Sequence, residues 1–157
     1  MYKLVAIDLD GTLVTDEKEL TKRTIEVIKE ATKKGVKIMI SSGRSFYRLE
    51  KFIDALDLRK ENQYTICFNG GMIVENTTKE MVYSKNLDAE EVKELIQLGK
   101  TLGLPIMIYT KDSHCVEKVP EVVQKNAKNL KGMNLKIVNF DDMDFSEKQN
   151  YIYKVCF

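Results

Sequence analysis

Two aspartates separated by a single residue stand directly after the first apolar run of the chain. Asp8 and Asp10 follow residues 4–7, and side chains at positions i and i+2 of an extended backbone point to the same side. One carboxylate of such a pair can attack phosphorus and form an acyl phosphate, while the other protonates the leaving oxygen and later takes a proton from water. Because two carboxylates repel a phosphate dianion, this chemistry requires a hard cation such as Mg²⁺ between them.

The residues after the aspartate pair suit this role. Gly11 allows the backbone to turn sharply, and the hydroxyl of Thr12 can hold a carboxylate in position. A solvated loop and a calcium-binding loop are the alternatives. In a calcium loop counted from Asp8, the glycine belongs at the place that Leu13 occupies, and a helix rather than a strand precedes the loop. The pattern therefore favours the reactive pair.

A second polar segment follows the apolar run at residues 36–40. Here Ser42 and Arg44 flank Gly43, and a hydroxyl, nearby backbone N–H groups and the N-terminus of a helix capped by Ser45 all favour an anion such as phosphate. The alternative is an ordinary strand-to-helix turn with a solvated arginine. The position of the segment after a strand favours the phosphate contact.

Asn69 and Gly70 follow a third apolar run, at residues 64–68. Asn-Gly is a preferred tight turn between two apolar segments, and residues 72–74 supply the second of these. The same two residues can equally contact a substrate. The two interpretations are compatible, and both stay open at this point.

Stretches with helical periodicity connect the three polar segments. The spacing of apolar residues predicts helices at residues 21–34 and 49–56. Strands that alternate with helices of this length form a parallel sheet, so we expect an incomplete Rossmann-like α/β fold with helices on both faces. In such sheets ligands bind at the carboxyl ends of the strands. Asp8, Ser42 and Asn69 all lie just beyond such an end.

A second unit begins near residue 84, so we divide the chain into residues 1–83 and 84–157. Asp88 and Glu91 have the spacing of a capping box at the start of an apolar helical stripe. Further strands are predicted at residues 104–109, 114–117, 135–140 and 151–157, and a helix at residues 120–130. Because the last apolar run reaches the final residue, we expect that the chain is cut inside a folded unit.

Composition excludes several classes of partner and site. Lysine and arginine number 25 and aspartate and glutamate 24, so the net charge is +1, which argues against nucleic-acid and membrane-surface partners. No apolar run approaches the roughly 18 to 20 residues of a membrane helix, and no signal-peptide pattern is present, so we expect a cytoplasmic protein. Cys67, Cys115 and Cys156 are widely spaced, which predicts reduced, core-packed thiols.

Polar residues of the second unit receive no catalytic role. His114 is the only histidine, which argues against a zinc site and against a histidine-based triad. We expect His114 to be exposed beside a strand turn, although it and Tyr109 lie where a substrate contact is conceivable. Asp141, Asp142 and Asp144 are interpreted as a solvated loop.

The segment Asp-Leu-Asp-Gly-Thr at residues 8–12 resembles the first motif of the haloacid dehalogenase-like (HAD) phosphatase superfamily. Ser-Ser-Gly-Arg at residues 41–44 and Asn-Gly-Gly at residues 69–71 resemble its Cof-type branch, subfamily IIB, whose members insert an α/β cap after the third strand. The resemblance implies a HAD-type core at residues 1–83 and the first part of the cap at residues 84–157.

The resemblance also implies roles for individual residues. The residue matching Asp8 is the family's nucleophile and a magnesium ligand, and the one matching Asp10 is the general acid/base, whose backbone carbonyl binds Mg²⁺. Ser42 matches the hydroxyl residue that binds the phosphoryl group. Further contacts to the phosphate or the substrate are expected from Leu9, Gly11, Thr12, Gly43, Arg44, Asn69 and Gly70.

The implied activity is Mg²⁺-dependent hydrolysis of small phosphorylated metabolites such as sugar phosphates. A phosphomutase or phosphotransferase on the same core, and a non-catalytic phosphate-binding module, are the alternatives. The family carries a lysine and a Gly-Asp-x-x-x-Asp-type motif after the cap, and neither follows Phe157, so we expect a truncated chain with little activity alone. The strands expected beyond the first one are missing too, which leaves an apolar sheet edge open to self-association.

Overall fold

The computed structural model describes residues 2–119, 134–147 and 151–157. The chain divides into two compact units, Met1–Lys85 and Asn86–Phe157, and each contains a β-sheet of its own. None of the helices in the described ranges is both long and apolar enough to span a membrane.

The first unit is an α/β structure whose sheet has the strand order β1-β2-β3-β4-β5. Its elements are β1 (Leu4–Asp8), α1 (Lys22–Lys33), β2 (Lys37–Ser41), α2 (Glu50–Ala55), β3 (Tyr64–Cys67), β4 (Met72–Glu75) and β5 (Met81–Ser84). The first three strands are parallel and the last two are antiparallel. The predicted α/β fold is therefore confirmed, and the parallel strands are extended by an antiparallel hairpin.

The buried face of β2 and the apolar face of α2 supply the core of this unit. Ile38 and Ile40 of β2 are 2% and 0% exposed, and Phe52 and Ile53 of α2 are 3% and 0% exposed. Burial of one such side chain contributes about 1.5–3 kcal/mol to folding. The i, i+3, i+4 spacing that predicted α2 thus marks its buried face.

β1 is more exposed than its sequence predicts. Its apolar run indicated a strand buried on both faces, but Leu4 is 51% exposed and Val5 is 38% exposed. The reason is the position of the strand, because β1 pairs with β2 and forms one edge of the sheet. The apolar run alone does not distinguish a central strand from such an edge strand, whereas the open apolar edge expected from the family resemblance agrees with the structure.

The ends of α1 follow local signals in the sequence. Thr21 caps the helix, and its hydroxyl accepts a hydrogen bond from the N–H of Thr24 at 3.0 Å. Gly35 comes just after the helix with a φ of 83°, a left-handed conformation that glycine adopts without a steric penalty. The predicted helix at residues 21–34 is therefore confirmed to within one residue at each end.

The second unit is a four-stranded sheet with one described helix. Its elements are α3 (Ala89–Thr101), β6 (Met107–Thr110), β7 (His114–Val116), β8 (Leu135–Ile137) and β9 (Ile152–Cys156), and the sheet order is β8-β7-β6-β9. Its core includes Val92, Ile96, Ile108, Cys115, Phe140 and Ile152. The helix predicted at residues 120–130 lies outside the described residues.

The predicted capping box of α3 is confirmed. The Asp88 carboxylate accepts a hydrogen bond from the N–H of Glu91 at 2.9 Å, and the Glu91 carboxylate accepts one from the N–H of Asp88 at 3.1 Å. The prediction for His114 is wrong, because this residue is fully buried. It lies on β7, an interior strand of the sheet, and its ring is 4.3 Å from that of Tyr109.

The remaining polar and thiol predictions agree with the structure. Asp141, Asp142 and Asp144 are exposed. The three cysteines are free; Cys67 and Cys115 are buried, whereas Cys156 is half-buried. Burial raises the pKa of Cys67 to about 12, so its thiol stays protonated at neutral pH.

Candidate active site

The parallel register of the first three strands aligns their carboxyl ends. Asp8 of β1 is opposite Ser41 of β2, and Ser41 is in turn opposite Ile66 of β3. The loops that follow these strands therefore start at the same edge of the sheet, where ligands bind in open α/β sheets.

Hydrogen bonds tie the loop after β2 to the loop after β3. Ser42 donates its N–H to the carbonyl of Ile66 at 3.0 Å and accepts the N–H of Asn69 at its own carbonyl at 3.1 Å. The backbone carbonyl of Arg44 accepts a hydrogen bond from the N–H of Phe68 at 3.1 Å. The structure thus brings the predicted residues Ser42, Arg44 and Asn69 together.

Gly43 and Asn69 approach each other closely. A Cβ atom placed on Gly43 would lie 2.8 Å from Oδ1 of Asn69, shorter than an ordinary van der Waals contact. Glycine is therefore required at position 43 if Asn69 is to keep its present side-chain position.

The turn after β3 has a left-handed backbone at three successive residues. The φ angles are 51° at Phe68, 56° at Asn69 and 99° at Gly70, and the turn joins β3 to its antiparallel partner β4. The tight-turn interpretation of Asn69 and Gly70 is therefore confirmed. Both residues are exposed, and their contact with a substrate stays a prediction.

Asp8 is the last residue of β1, and Asp10 lies in the tight turn Leu9–Leu13 that follows. Leu9 is fully buried, so only its backbone is available to a ligand. Gly11 has a φ of 78°, which agrees with the sharp turn expected there. Asp8 is exposed, and its side chain makes no hydrogen bond or ion pair with the described residues.

Asp10 differs from Asp8 because two cations hold its carboxylate. Arg44 donates from Nε to Oδ2 at 2.9 Å and from Nη2 to Oδ1 at 2.6 Å. The Lys18 ammonium lies 3.1 Å from Oδ1. The hydrogen bond from Arg44 is the main reason that the pKa of Asp10 is lowered from its ordinary value. The Asp10 carboxylate is therefore held in place, whereas that of Asp8 is open.

Three predicted roles are changed by this geometry. The hydroxyl of Thr12 is exposed and bonds to no described residue, so Arg44 and Lys18, not Thr12, hold the carboxylate. Arg44 itself pairs with Asp10, and its contact with phosphate stays a prediction. Ser45 precedes a single 3₁₀ turn without a side-chain cap, and α2 begins only at Glu50, so no helix N-terminus reinforces an anion there.

The hydroxyl of Ser42 accepts a single hydrogen bond from the described residues. Its Oγ accepts a hydrogen bond from the N–H of Arg44 at 3.3 Å, which leaves the hydroxyl hydrogen for another acceptor. The side chain is only 5% exposed, and the loop bonds described above fix its backbone. Its contact with a phosphoryl group stays a prediction.

Sequence reasoning missed Lys18. This residue lies in a charged stretch at residues 16–19, which looks like any solvated loop. Its φ of 64° and its contact with Asp10 become visible only in the folded chain. Neither composition nor spacing carried a signal for it.

The donor set at the aspartate pair fits Mg²⁺. A carboxylate of Asp8 and the backbone carbonyl of Asp10 are hard oxygen donors, and Mg²⁺ commonly takes one or two such ligands and completes its octahedron with water and substrate phosphate. The side-chain oxygens of Asp10 are already held by Arg44 and Lys18. No three His, Cys, Asp or Glu side chains gather into a metal-binding cluster anywhere in the described ranges, so the ion would depend on Asp8.

Comparison with known proteins places this geometry in a family. The family model of haloacid dehalogenase-like hydrolases matches residues 5–157. The Bacillus subtilis (strain 168) protein named "Putative phosphatase YxeH" is 34% identical over 109 residues, which are 69% of this chain and 40% of that protein.

Solved structures agree with this relationship. A haloacid dehalogenase-like hydrolase from Bacteroides thetaiotaomicron superposes with a TM-score of 0.78 at 30% identity, over 92% of this chain and 55% of that one. The HAD subclass IIB sugar phosphatase BT4131 superposes with a TM-score of 0.71 at 26% identity, over 96% of this chain and 56% of that one. This chain thus spans about half the length of its relatives, and it belongs to the haloacid dehalogenase-like hydrolases of the Cof type, as its motifs predicted.

Proposed function

We propose that the protein is a Mg²⁺-dependent phosphohydrolase that removes phosphate from small phosphorylated metabolites through an aspartyl-phosphate intermediate. The observation that carries the proposal is the contrast between two carboxylates at one strand end. Asp8 is exposed and makes no bond with described residues, and Asp10 is held by two cations. An open carboxylate suits a nucleophile, and a fixed one suits a proton carrier.

The proposed reaction has two steps. Asp10 first takes a proton from water. A carboxylate oxygen of Asp8 then attacks phosphorus, the bond from phosphorus to the leaving oxygen breaks, and Asp10 gives its proton to that oxygen. Water then attacks the phosphoryl group and transfers a proton to Asp10, and the bond from phosphorus to Asp8 breaks to release inorganic phosphate.

The surrounding residues would bind and orient the phosphoryl group. Ser42 offers its hydroxyl hydrogen, Asn69 offers an exposed amide, and the backbone of the turn after β1 lies beside the nucleophile. Asp8 and the carbonyl of Asp10 would hold Mg²⁺, which supplies charge neutralisation between the carboxylate and the phosphate.

Sugar phosphates are the proposed substrate class, because the subclass IIB relative BT4131 is named a sugar phosphatase. A phosphomutase on the same core would transfer the phosphoryl group to a sugar hydroxyl instead of water. Product analysis with a sugar acceptor separates the two, since hydrolysis yields inorganic phosphate and the mutase reaction yields a new sugar phosphate. The free thiols suit a reducing compartment, and we propose a cytoplasmic location.

The test is the turnover of an aryl phosphate by the native protein as the cell produces it. We expect Asp8→Asn to lower kcat by at least about 10³-fold, and removal of Mg²⁺ by a chelator to abolish turnover reversibly. Asp10→Asn should retain formation of the acyl phosphate with a good leaving group. Full activity of the Asp8→Asn variant would overturn the proposal.

We further propose that the 157 residues alone turn over slowly, because the match to the relative YxeH covers only 40% of that protein. Side-by-side turnover measurements on the 157-residue chain and the native gene product test this. Equal rates would contradict it. Phosphate binding by the short chain without turnover would match the non-catalytic alternative.

The edge strand β1 supports a proposal of self-association. Leu4 and Val5 are 51% and 38% exposed on a strand whose outer edge pairs with none of the described strands, and such edges can pair with a second copy. Sedimentation of the 157-residue chain should show a dimer that Val5→Lys disperses. A monomer at all concentrations would refute this contact.

A further inference from the structure

The carboxylate of Asp10 is held at both oxygens by residues from two separate loops. Arg44 reaches Oδ2 through Nε at 2.9 Å and Oδ1 through Nη2 at 2.6 Å, and Lys18 reaches Oδ1 at 3.1 Å. A bidentate arginine fixes the plane of a carboxylate as well as its position. The added ammonium leaves Asp10 a single favoured orientation.

Lys18 is placed by a loop that closes on itself. Thr15 donates its N–H to the carbonyl of Glu19 at 3.0 Å, and Lys18 donates its N–H to the carbonyl of Thr15 at 2.9 Å. Lys18 itself has a φ of 64°, a conformation that residues other than glycine adopt sparingly and that is found where surrounding structure enforces it. The loop therefore fixes the backbone position from which the half-exposed Lys18 side chain reaches Asp10.

Arg44 is equally constrained from the other side. Its N–H donates to Oγ of Ser42 at 3.3 Å, its carbonyl accepts from Phe68 at 3.1 Å, and its guanidinium lies 5.7 Å from the ring centre of Phe52. The side chain is only 18% exposed. An arginine fixed in this way cannot turn towards a phosphoryl group without giving up its contact with Asp10.

We propose that Lys18 and Arg44 are positioning residues, which act on the reaction by fixing the Asp10 carboxylate and not by touching the phosphoryl group. This inference rests on the proposed function, because it concerns the proton transfer to the leaving oxygen. It assigns Lys18 a role that no motif indicates, and it replaces the phosphate contact predicted for Arg44 from sequence.

The two roles predict different dependence on the leaving group. An alkyl oxygen is a poor leaving group and needs a well-placed proton, whereas an aryl oxygen with a low pKa leaves without one. Loss of a positioning residue should therefore lower kcat/KM for an alkyl phosphate and spare an aryl phosphate. Loss of a direct phosphate contact would lower both, because both substrates carry the same phosphoryl group.

The variants are chosen to have internal controls. Arg44→Gln removes the guanidinium that makes two hydrogen bonds to Asp10. Lys18→Asn removes the ammonium and introduces a residue that tolerates a left-handed backbone. Lys79 is the matched control for Lys18, because its φ is 60° and its ammonium lies 2.8 Å from the Glu50 carboxylate away from the aspartate pair. Arg59, whose Nη2 lies 2.7 Å from the same Glu50 carboxylate, is the control for Arg44.

For the native protein with Mg²⁺, we expect Arg44→Gln to lower kcat/KM for the alkyl phosphate by about 10²-fold and for the aryl phosphate by less than about threefold. Lys18→Asn should lower kcat/KM about fivefold to tenfold for the alkyl phosphate and leave kcat/KM for the aryl phosphate unchanged. Lys79→Asn and Arg59→Gln should leave kcat/KM unchanged for both the alkyl and the aryl phosphate. In an Asp10→Asn background, neither Lys18→Asn nor Arg44→Gln should have a further effect.

Equal losses on both substrates, or no loss on either, would overturn the inference. If Arg44→Gln does not fold, Lys18→Asn and Arg44→Lys carry the same comparison, since the Lys18 side chain is half-exposed and Arg44→Lys changes the side-chain volume little. Failure of the proposed function looks different. In that case the unmodified protein would hydrolyse neither substrate, or the Asp8→Asn variant would keep its activity.

Discussion

The two units of the chain use their polar side chains for different purposes. In the first unit, Asp10 and Arg44 join loops that are 34 positions apart in the sequence, while Asp8 beside them is left without a bond to any described residue. Links between distant loops combined with an open carboxylate are the arrangement expected of a reactive site.

In the second unit, polar groups close a turn and form pairs at the surface. The hydroxyls of Thr110 and Ser113 lie 2.8 Å apart and close the turn between β6 and β7. Lys100 pairs with the exposed Asp141, which is 41 positions away in the sequence. Exposed pairs of this kind contribute little to stability. Because pairs between distant segments occur in both units, the comparison teaches that a polar cluster points to chemistry when it is partly buried and leaves a neighbouring carboxylate open.

The largest expected change is a loss of stability when the core of the second unit is altered. Ile108 is fully buried, so Ile108→Ala should lower the free energy of unfolding by about 2–5 kcal/mol. Leu98→Ala is the matched control, because Leu98 is 50% exposed, and we expect a change within about 0.5 kcal/mol. Urea denaturation of the protein measures both. Equal losses would show that this core does not stabilise the unit.

A smaller effect is expected at the close approach in the first unit. Gly43→Ala places a methyl group against Asn69 and should lower kcat/KM by about tenfold, equivalent to about 1.4 kcal/mol, with little loss of stability because a side chain rather than the backbone must move. In an Asn69→Ala background, Gly43→Ala should cost nothing more. A loss that persists in that background would exclude the contact as its cause.

The smallest predicted effect is the loss of the capping box in the second unit. Asp88→Ala removes the acceptor for the N–H of Glu91 and should destabilise the protein by about 1 kcal/mol. Turnover of an aryl phosphate at a temperature well below unfolding should not change. Thermal denaturation and an activity assay on the same sample measure the two quantities, and a loss of turnover without a loss of stability would contradict the comparison.

The features predicted correctly from sequence are those encoded by neighbouring residues. The capping box of Asp88, the turn at Asn69 and the placement of Asp8 and Ser42 after strands all depend on short-range patterns. Parallel strands bring their carboxyl ends to one edge, so the short patterns also predicted which loops would meet. The family resemblance rested on the same motifs.

The features missed depend on the register and order of the strands. His114 is buried because β7 lies between two other strands. The partnership of Lys18 and Arg44 with Asp10 joins segments whose distance is fixed only by the fold. No local pattern encodes these relationships.

The central claim is that a carboxylate at position 8 forms a bond to phosphorus. The most direct measurement is to mix the native protein with Mg²⁺ and a sugar phosphate, quench it within one turnover, reduce any acyl phosphate with borohydride, and locate the modified residue by peptide mass spectrometry. The account predicts that Asp8 is converted to homoserine in a substrate-dependent manner, and that Asp8→Asn shows no modification. Phosphate release with Asp8 unmodified, or modification at another residue, would contradict it.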